Sequence, residues 1–180
     1  MRGFERKNQL LSLCGLNCGL CPMLLDGHCG GCGHGNQSCK IARCSLKHGG
    51  LEYCFECSEY PCETYLRAGE FDSFISHRNQ KLDMEKAKNI GINAYNAEQR
   101  EKSEILRGLL SDYNDGRRKS FFCTAINLLD LQDIREILQK LSKIPGIDSQ
   151  SLKEKSTWAV DLFQEAAKKQ GVVLKLRRKK

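Results

Sequence analysis

The chain has 180 residues, 40% hydrophobic and 28% charged, the profile of an ordinary folded polypeptide of one domain or two small ones. That composition excludes collagenous, low-complexity and membrane-spanning classes, while a formal net charge of +7 raises nucleic acid as a partner. Location of the charges weakens that idea: residues 1–69 hold seven Lys or Arg against six acids, residues 70–167 fifteen against sixteen, and residues 168–180 seven against none.

Residues 1–13 carry charges and lack the roughly 7 to 15 consecutive apolar residues of a secretory signal. No uninterrupted apolar run approaches the roughly 18 residues of a membrane span. The expected location is therefore the cytosol, where thiols stay reduced and clustered cysteines bind metal in preference to forming disulfides. Eleven cysteines are the anomaly, because ten fall between Cys14 and Cys62 and only Cys123 lies beyond. The same stretch holds nine glycines, so it reads as knuckles, turns and short strands whose glycines let backbone amides bend toward sulfur.

From Glu63 onward the apolar spacing is helical. A first helix is expected from about Asn79 to Ile90, with Leu82, Ala87 and Ile90 inward and Gly91 as its stop. A second contains Ile105, Leu106, Leu109, Leu110 and Tyr113, before the Asp115-Gly116 turn. Ser120 is the expected cap of a third, with Phe121, Phe122, Ala125, Ile126 and Leu129, and Asp130 of a fourth, with Ile134, Ile137, Leu138 and Leu141. Pro145-Gly146 ends the fourth. The last runs from about Ser151 to Gln170, with Leu152, Ala159, Leu162, Phe163 and Ala166 on one stripe, Trp158 at the core and Gly171 as a stop; Val172 to Leu176 reads as a short strand. The expected fold class is thus a small α+β protein: an irregular cysteine-rich metal-binding region over 1–69, packed on a mainly α-helical bundle over 70–170, with a basic tail over 171–180.

The cysteine spacing carries the chemistry. Cys18-Gly-Leu-Cys21, Cys29-Gly-Gly-Cys32 and Cys54-Phe-Glu-Cys57 each have the two-residue gap that lets one tight turn present two sulfurs to one ion. Cys14, Cys39, Cys44 and Cys62 interleave with them. Zinc takes four ligands in a tetrahedron at about 2.3 Å from sulfur, so ten candidates suffice for two sites with two thiols over, and a third site would need histidines such as His28, His34 or His48. Only twelve apolar residues other than cysteine lie between Cys14 and Cys62, too few for a self-sufficient core, whereas a structural zinc contributes on the order of 10–16 kcal/mol. The alternative cofactor is an iron-sulfur cluster, which thiolates also hold. Cys14, Cys18 and Cys21 share the spacing of radical enzymes that cleave S-adenosylmethionine, but those build on a βα barrel and this chain turns helical after Cys62. Two four-thiolate zinc sites would turn the +1 of residues 1–69 into about −3 and repel phosphate.

Cys14-Gly-Leu-Asn-Cys18-Gly-Leu-Cys21-Pro22, Cys29-Gly-Gly-Cys32, Cys39-Lys-Ile-Ala-Arg-Cys44, Cys54-Phe-Glu-Cys57, Tyr60-Pro61-Cys62-Glu63 and His77-Arg78 together resemble a cysteine-rich domain-of-unknown-function family of prokaryotic proteins. The resemblance covers at least residues 12–95, and Tyr113-Asn-Asp-Gly-Arg-Arg-Lys-Ser-Phe-Phe-Cys123 extends it to about residue 130. Many members carry a further two-residue-gap cysteine pair after the Gln99 region, where this chain reads Arg-Glu-Lys-Ser-Glu-Ile, a departure that bears on one metal site of those relatives. The resemblance implies a metal-binding domain and supplies no reaction.

Two functions follow. The leading one is an interaction or regulatory module in which zinc holds the N-terminal region rigid and presents Tyr53, Phe55 or the basic tail to a partner. That partner is expected to be a protein, with nucleic acid engaged only through the tail and no membrane involved. The alternative is an iron-sulfur or thiol-dependent redox enzyme using a spare N-terminal thiol such as Cys14, or Cys123 activated by Arg117, Arg118 and Lys119. No spacing suggests a hydrolytic Ser/His/acid set or paired carboxylates.

Overall fold

The computed structural model describes residues 1–69 and 71–177. It corrects the α+β expectation: eight α-helices and three short 3₁₀ turns are present and no strand occurs among the described residues. The helices are α1 (Pro22–Leu25), α2 (Lys40–Lys47), α3 (Glu63–Leu66), α4 (Gln80–Ile90), α5 (Ile92–Asp112), α6 (Lys119–Leu128), α7 (Leu131–Ser142) and α8 (Leu152–Lys169).

The expected strands are missing because no segment makes a ladder of backbone bonds with a neighbour among the described residues. Residues 172–177 return to residues 72–78 through isolated contacts: the Arg78 guanidinium donates to the Lys175 carbonyl (2.7 Å) and Asp72 N–H to the Arg177 carbonyl (3.0 Å), while Lys175 N–H bends back to the Val173 carbonyl (2.9 Å). Val172 and Leu174 meanwhile pack on the helical core. The tail to Arg177 is therefore docked, not a free solvated extension; residues 178–180, which complete the basic run, lie outside the described residues. In the cysteine-rich region the expected short strands are replaced by tight helical turns at Cys18–Leu20 and Cys54–Glu56 and by the two-turn helix α2.

The main core lies between α5, α6, α7 and α8, where Leu106, Phe122, Ile126, Ile134, Ala159 and Phe163 are buried. Phe121, Phe122 and Phe163 meet edge to face, with centroids 5.6–6.5 Å apart. Asp130 takes the N-cap position of α7, and Ser151 caps α8 with a reciprocal bond to Glu154. Two expectations fail on the outer faces, since Trp158 is 49% exposed and Leu152 is exposed too.

A second core joins the two regions: Leu11, Tyr53 and Tyr65 pack with Met84, Ala87 and Tyr95. It explains why α4 buries Gln80, Met84 and Ala87 and turns Leu82 and Ile90 outward, opposite to the expected face. Gly15, at φ +94°, brings its backbone so close that a Cβ there would sit 2.5 Å from the Gln80 carbonyl oxygen, and this contact selects which side of α4 faces the cysteine loop. A third, smaller core of Phe4, Leu13 and Ala42 lies under the cysteine turns. Residues 1–13 lace these turns together: Cys54 N–H donates to the Leu13 carbonyl (2.9 Å), Cys32 N–H to Gln9 Oε1 (3.0 Å), and Arg6 reaches the Leu11 carbonyl and Glu52.

Replacing Ser151 with Ala removes the α8 cap and should lower stability by about 1 kcal/mol. A reduced urea midpoint with an unchanged slope is the expected reading.

Candidate metal centre

The cysteine turns form as the two-residue gaps demand. Cys21 N–H donates to the Cys18 carbonyl (3.0 Å) and Cys57 N–H to the Cys54 carbonyl (3.1 Å), each closing one 3₁₀ turn with a cysteine at either end. In the third pair Gly31 N–H points at Cys29 Sγ (3.4 Å), the amide-to-sulfur contact that its glycines permit. All eleven cysteines are free thiols. The ten of the N-terminal region are all partly buried.

Four of them share one space. Cys44 from α2, Cys54 and Cys57 from the 3₁₀ turn, and Cys62 immediately before α3 line a single cavity of about 30 Å³, walled otherwise by side chains such as Leu13, Ile41, Leu51 and Tyr65. His48, at the end of α2, stands beside this set, with Nδ1 2.9 Å from the Cys44 carbonyl oxygen and 3.7 Å from Cys44 Sγ. His28 and His34 are exposed on the surface. Only His48 among the three expected histidines contacts a cysteine sulfur.

The remaining six cysteines form a second neighbourhood. Burial pushes Cys18 well above the ordinary thiol range, reinforced by negative charge on Cys14, Cys32, Cys21 and Cys29. Cys14 rises to about 11, chiefly by burial, with a hydrogen bond to Ser12 opposing and Cys32 and Cys39 adding to the shift. Cys54 is raised by burial and then by Cys14, Cys62, Cys44 and Cys32, so the two groups adjoin. Thiols so placed repel one another once ionised, which is why burial beside other sulfurs holds them protonated. Among the described residues no three His, Cys, Asp or Glu side chains stand in a formed metal cluster. The fit to an ion therefore rests on donor chemistry and a shared cavity, not on a preformed tetrahedron.

Cys123 is separate from this centre. It sits in α6 within the main core, 2% exposed, where burial raises the thiol to about 12 and Lys119 offsets only part of that shift. Lys119 itself pairs with Asp26, while Asn114 and Asp115 tie the 114–118 loop into an Asx turn by accepting from the Gly116, Arg118 and Arg117 amides. The basic run thus does not activate the thiol. Tyr53, expected to face a partner, is buried against Phe55 and Arg6.

Sequence reading missed a buried polar junction next to the cysteines. Asn17, between Cys14 and Cys18, donates to Asp83 Oδ2 (2.9 Å) and Asn127 Oδ1 (3.2 Å) and accepts from the Tyr95 hydroxyl (2.8 Å). Lys102 lies close by, its ammonium donating to the Leu129 carbonyl (2.8 Å). Burial pushes Asp83 up to about 6 against the opposing pull of Lys102, and lowers Lys102 in turn. No local pattern marks these residues, which come from four separate segments; the one available signal was an asparagine inside a cysteine turn.

Searches against protein-family models, curated proteins and solved structures return no match to this chain. No helix among the described residues is long and apolar enough to cross a membrane.

Two outcomes are expected. Asp83, raised above its ordinary value, holds its proton more tightly folded than unfolded, so the stability it lends is present at low pH and is lost as pH rises through about 6. Asp83→Asn removes that dependence, and its stability relative to wild type should improve by roughly 3 kcal/mol from pH 4 to pH 7 in urea titrations. For Cys123, peptide mapping after brief iodoacetamide treatment should find it unmodified in the native protein and fully modified in guanidinium.

Proposed function

We propose that residues 14–62 form a structural metal module with two tetrathiolate zinc sites, Cys44–Cys54–Cys57–Cys62 and Cys18–Cys21–Cys29–Cys32, leaving Cys14 and Cys39 outside both sets. The observation that carries the reading is the convergence of Cys44, Cys54, Cys57 and Cys62, drawn from three different elements, on one small cavity. Isolated core cysteines have no reason to share a wall in this way. The second set is supported by its two knuckles and by the nearness of Cys21, Cys29 and Cys32 to Cys18, a neighbourhood that Cys14 shares.

Zinc supplies cross-linking of loops that have little apolar surface of their own, and each site adds folding free energy on the order of 10 kcal/mol. On this reading the cysteine region is a rigid cap on the helical bundle, in an interaction or regulatory protein working in the reducing cytosol. A redox role for Cys123 loses its support, because that thiol is buried and held protonated.

Protein purified without oxygen should hold about two zinc ions per chain by elemental analysis. Cys57→Ser should lose one equivalent and retain the other, and Cys29→Ser should do the converse. Less than one zinc per chain, with stoichiometric iron and sulfide, would replace the zinc reading with the iron-sulfur one; neither metal in a stably folded protein would end both.

A further inference from the structure

Where the docked tail meets the start of α4, the chain builds an open cleft of about 560 Å³ that the metal module does not use. Arg67, Arg78, Lys81 and Arg177 line it, and no carboxylate does among the described residues. Arg177 is paired with Asp72, whose side chain is fully covered, and Arg67 with Glu63 on the neighbouring turn. Arg78 and Lys81 are spent differently: their nitrogens donate to the Lys175 and Leu66 carbonyl oxygens, bonds that orient a cation without cancelling its charge. Two cations thus face the cleft without a partner carboxylate among the described residues.

A second observation lies at the floor. His77 Nδ1 and Gln80 Oε1 are both buried and have no hydrogen-bond partner among the described residues, and Gln80 is only 4% exposed. The Gln80 amide is held by its other end, since Nε2 donates to the Cys14 carbonyl (2.9 Å), and His77 Nε2 is held by Ser73 Oγ (2.9 Å). Gly69, at φ +90°, packs its backbone against the free oxygen without donating to it: a Cβ there would lie 2.4 Å from Gln80 Oε1. Buried polar atoms without partners are costly, at about 1–3 kcal/mol each, and such atoms beneath a cationic cleft favour a group that brings its own hydrogen-bond donor.

From these contacts we infer that the cleft is a binding site for a small oxyanion, a phosphate or carboxylate, that carries an adjacent hydroxyl. Arg78 and Lys81 take the anionic oxygens, Arg-to-oxyanion bonds being strong and directional, and the hydroxyl donates to Gln80 Oε1. Both the anion and the hydroxyl are needed, which separates this site from a merely basic surface. An adjoining cavity of about 540 Å³ shares Arg67, His77 and Gln80 and reaches Cys14 and Cys39, the two cysteines outside the proposed zinc sets.

The test uses full-length protein as purified, with isothermal titration calorimetry of glycerol 3-phosphate, glycerate, inorganic phosphate and glycerol. Saturable binding of the first two, at least tenfold tighter than inorganic phosphate and with no binding of glycerol, is expected. A preference for one of the two assigns the anion as phosphate or carboxylate. Lys81→Gln, a surface change that leaves the core intact, should weaken binding at least fivefold, and Gln80→Leu should erase the advantage over inorganic phosphate. The distant Lys155→Gln should change nothing. No saturable binding by wild type, equal affinity for inorganic phosphate, or the same loss in Lys155→Gln as in Lys81→Gln would overturn the inference. Zinc content, measured on the same samples, is independent of these readings, so the cleft and the metal module can fail separately.

Discussion

Ten thiols crowded into partly buried positions, in a region with few apolar side chains, are the constraint on which the rest of this structure turns. Uncharged, they are small hydrophobes that fill space poorly. Ionised, they repel one another across a medium that screens weakly. The backbone nevertheless holds the arrangement: one 3₁₀ turn, the middle of α2 and the start of α3 aim Cys44, Cys54, Cys57 and Cys62 at one cavity. Residues 1–13 are drawn across the loops to hold them, which is why Phe4, Leu11 and Leu13 are buried although this segment looks unremarkable as sequence.

The helical half was legible because helical periodicity is local. Asp130 occupies its expected N-cap position, whereas Ser120, the expected cap of α6, lies inside that helix behind Arg118; Gly91 and Gly171 follow helix ends, and Phe122, Ile126, Ile134 and Phe163 lie in the core as their spacing requires. The errors have tertiary causes. Leu82 lost its inward place to Met84 because the Gly15 backbone presses on that side of α4, and a hydrophobic stripe with two acceptable faces carries no trace of such a contact. Trp158 is apolar enough to be counted as core, yet it falls on the outer side of α8. The strand expected at 172–176 had the right residues and no neighbour to pair with.

The crowding of cysteines into residues 14–62 was legible from the sequence, and which of them meet in space was not. Ten thiols in a row admit sequential or crossed pairing, and only folding brings Cys44 of a helix to the Cys54–Cys57 turn across the intervening 45–53 loop. The cleft beside α4 was equally hidden. Its cations come from residues 67, 78, 81 and 177, so it exists only because the tail returns to the chain's middle and is fastened there through Asp72. His77-Arg78, noted in the sequence only as part of a motif, holds the tail on one side and the cleft floor on the other.

Asn17 shows what such fastening implies for the history of the chain. Its amide is saturated by Asp83, Tyr95 and Asn127, so a turn between two cysteines has its hydrogen bonds completed by three separate helices. A cysteine region grafted onto a different helical scaffold would arrive with that amide stranded, and the bundle left behind would keep an ionisable Asp83 with one neighbour fewer. The two halves are thus not interchangeable cassettes, and recombination between distant relatives at the boundary between them would be selected against unless both sides of this junction travelled together.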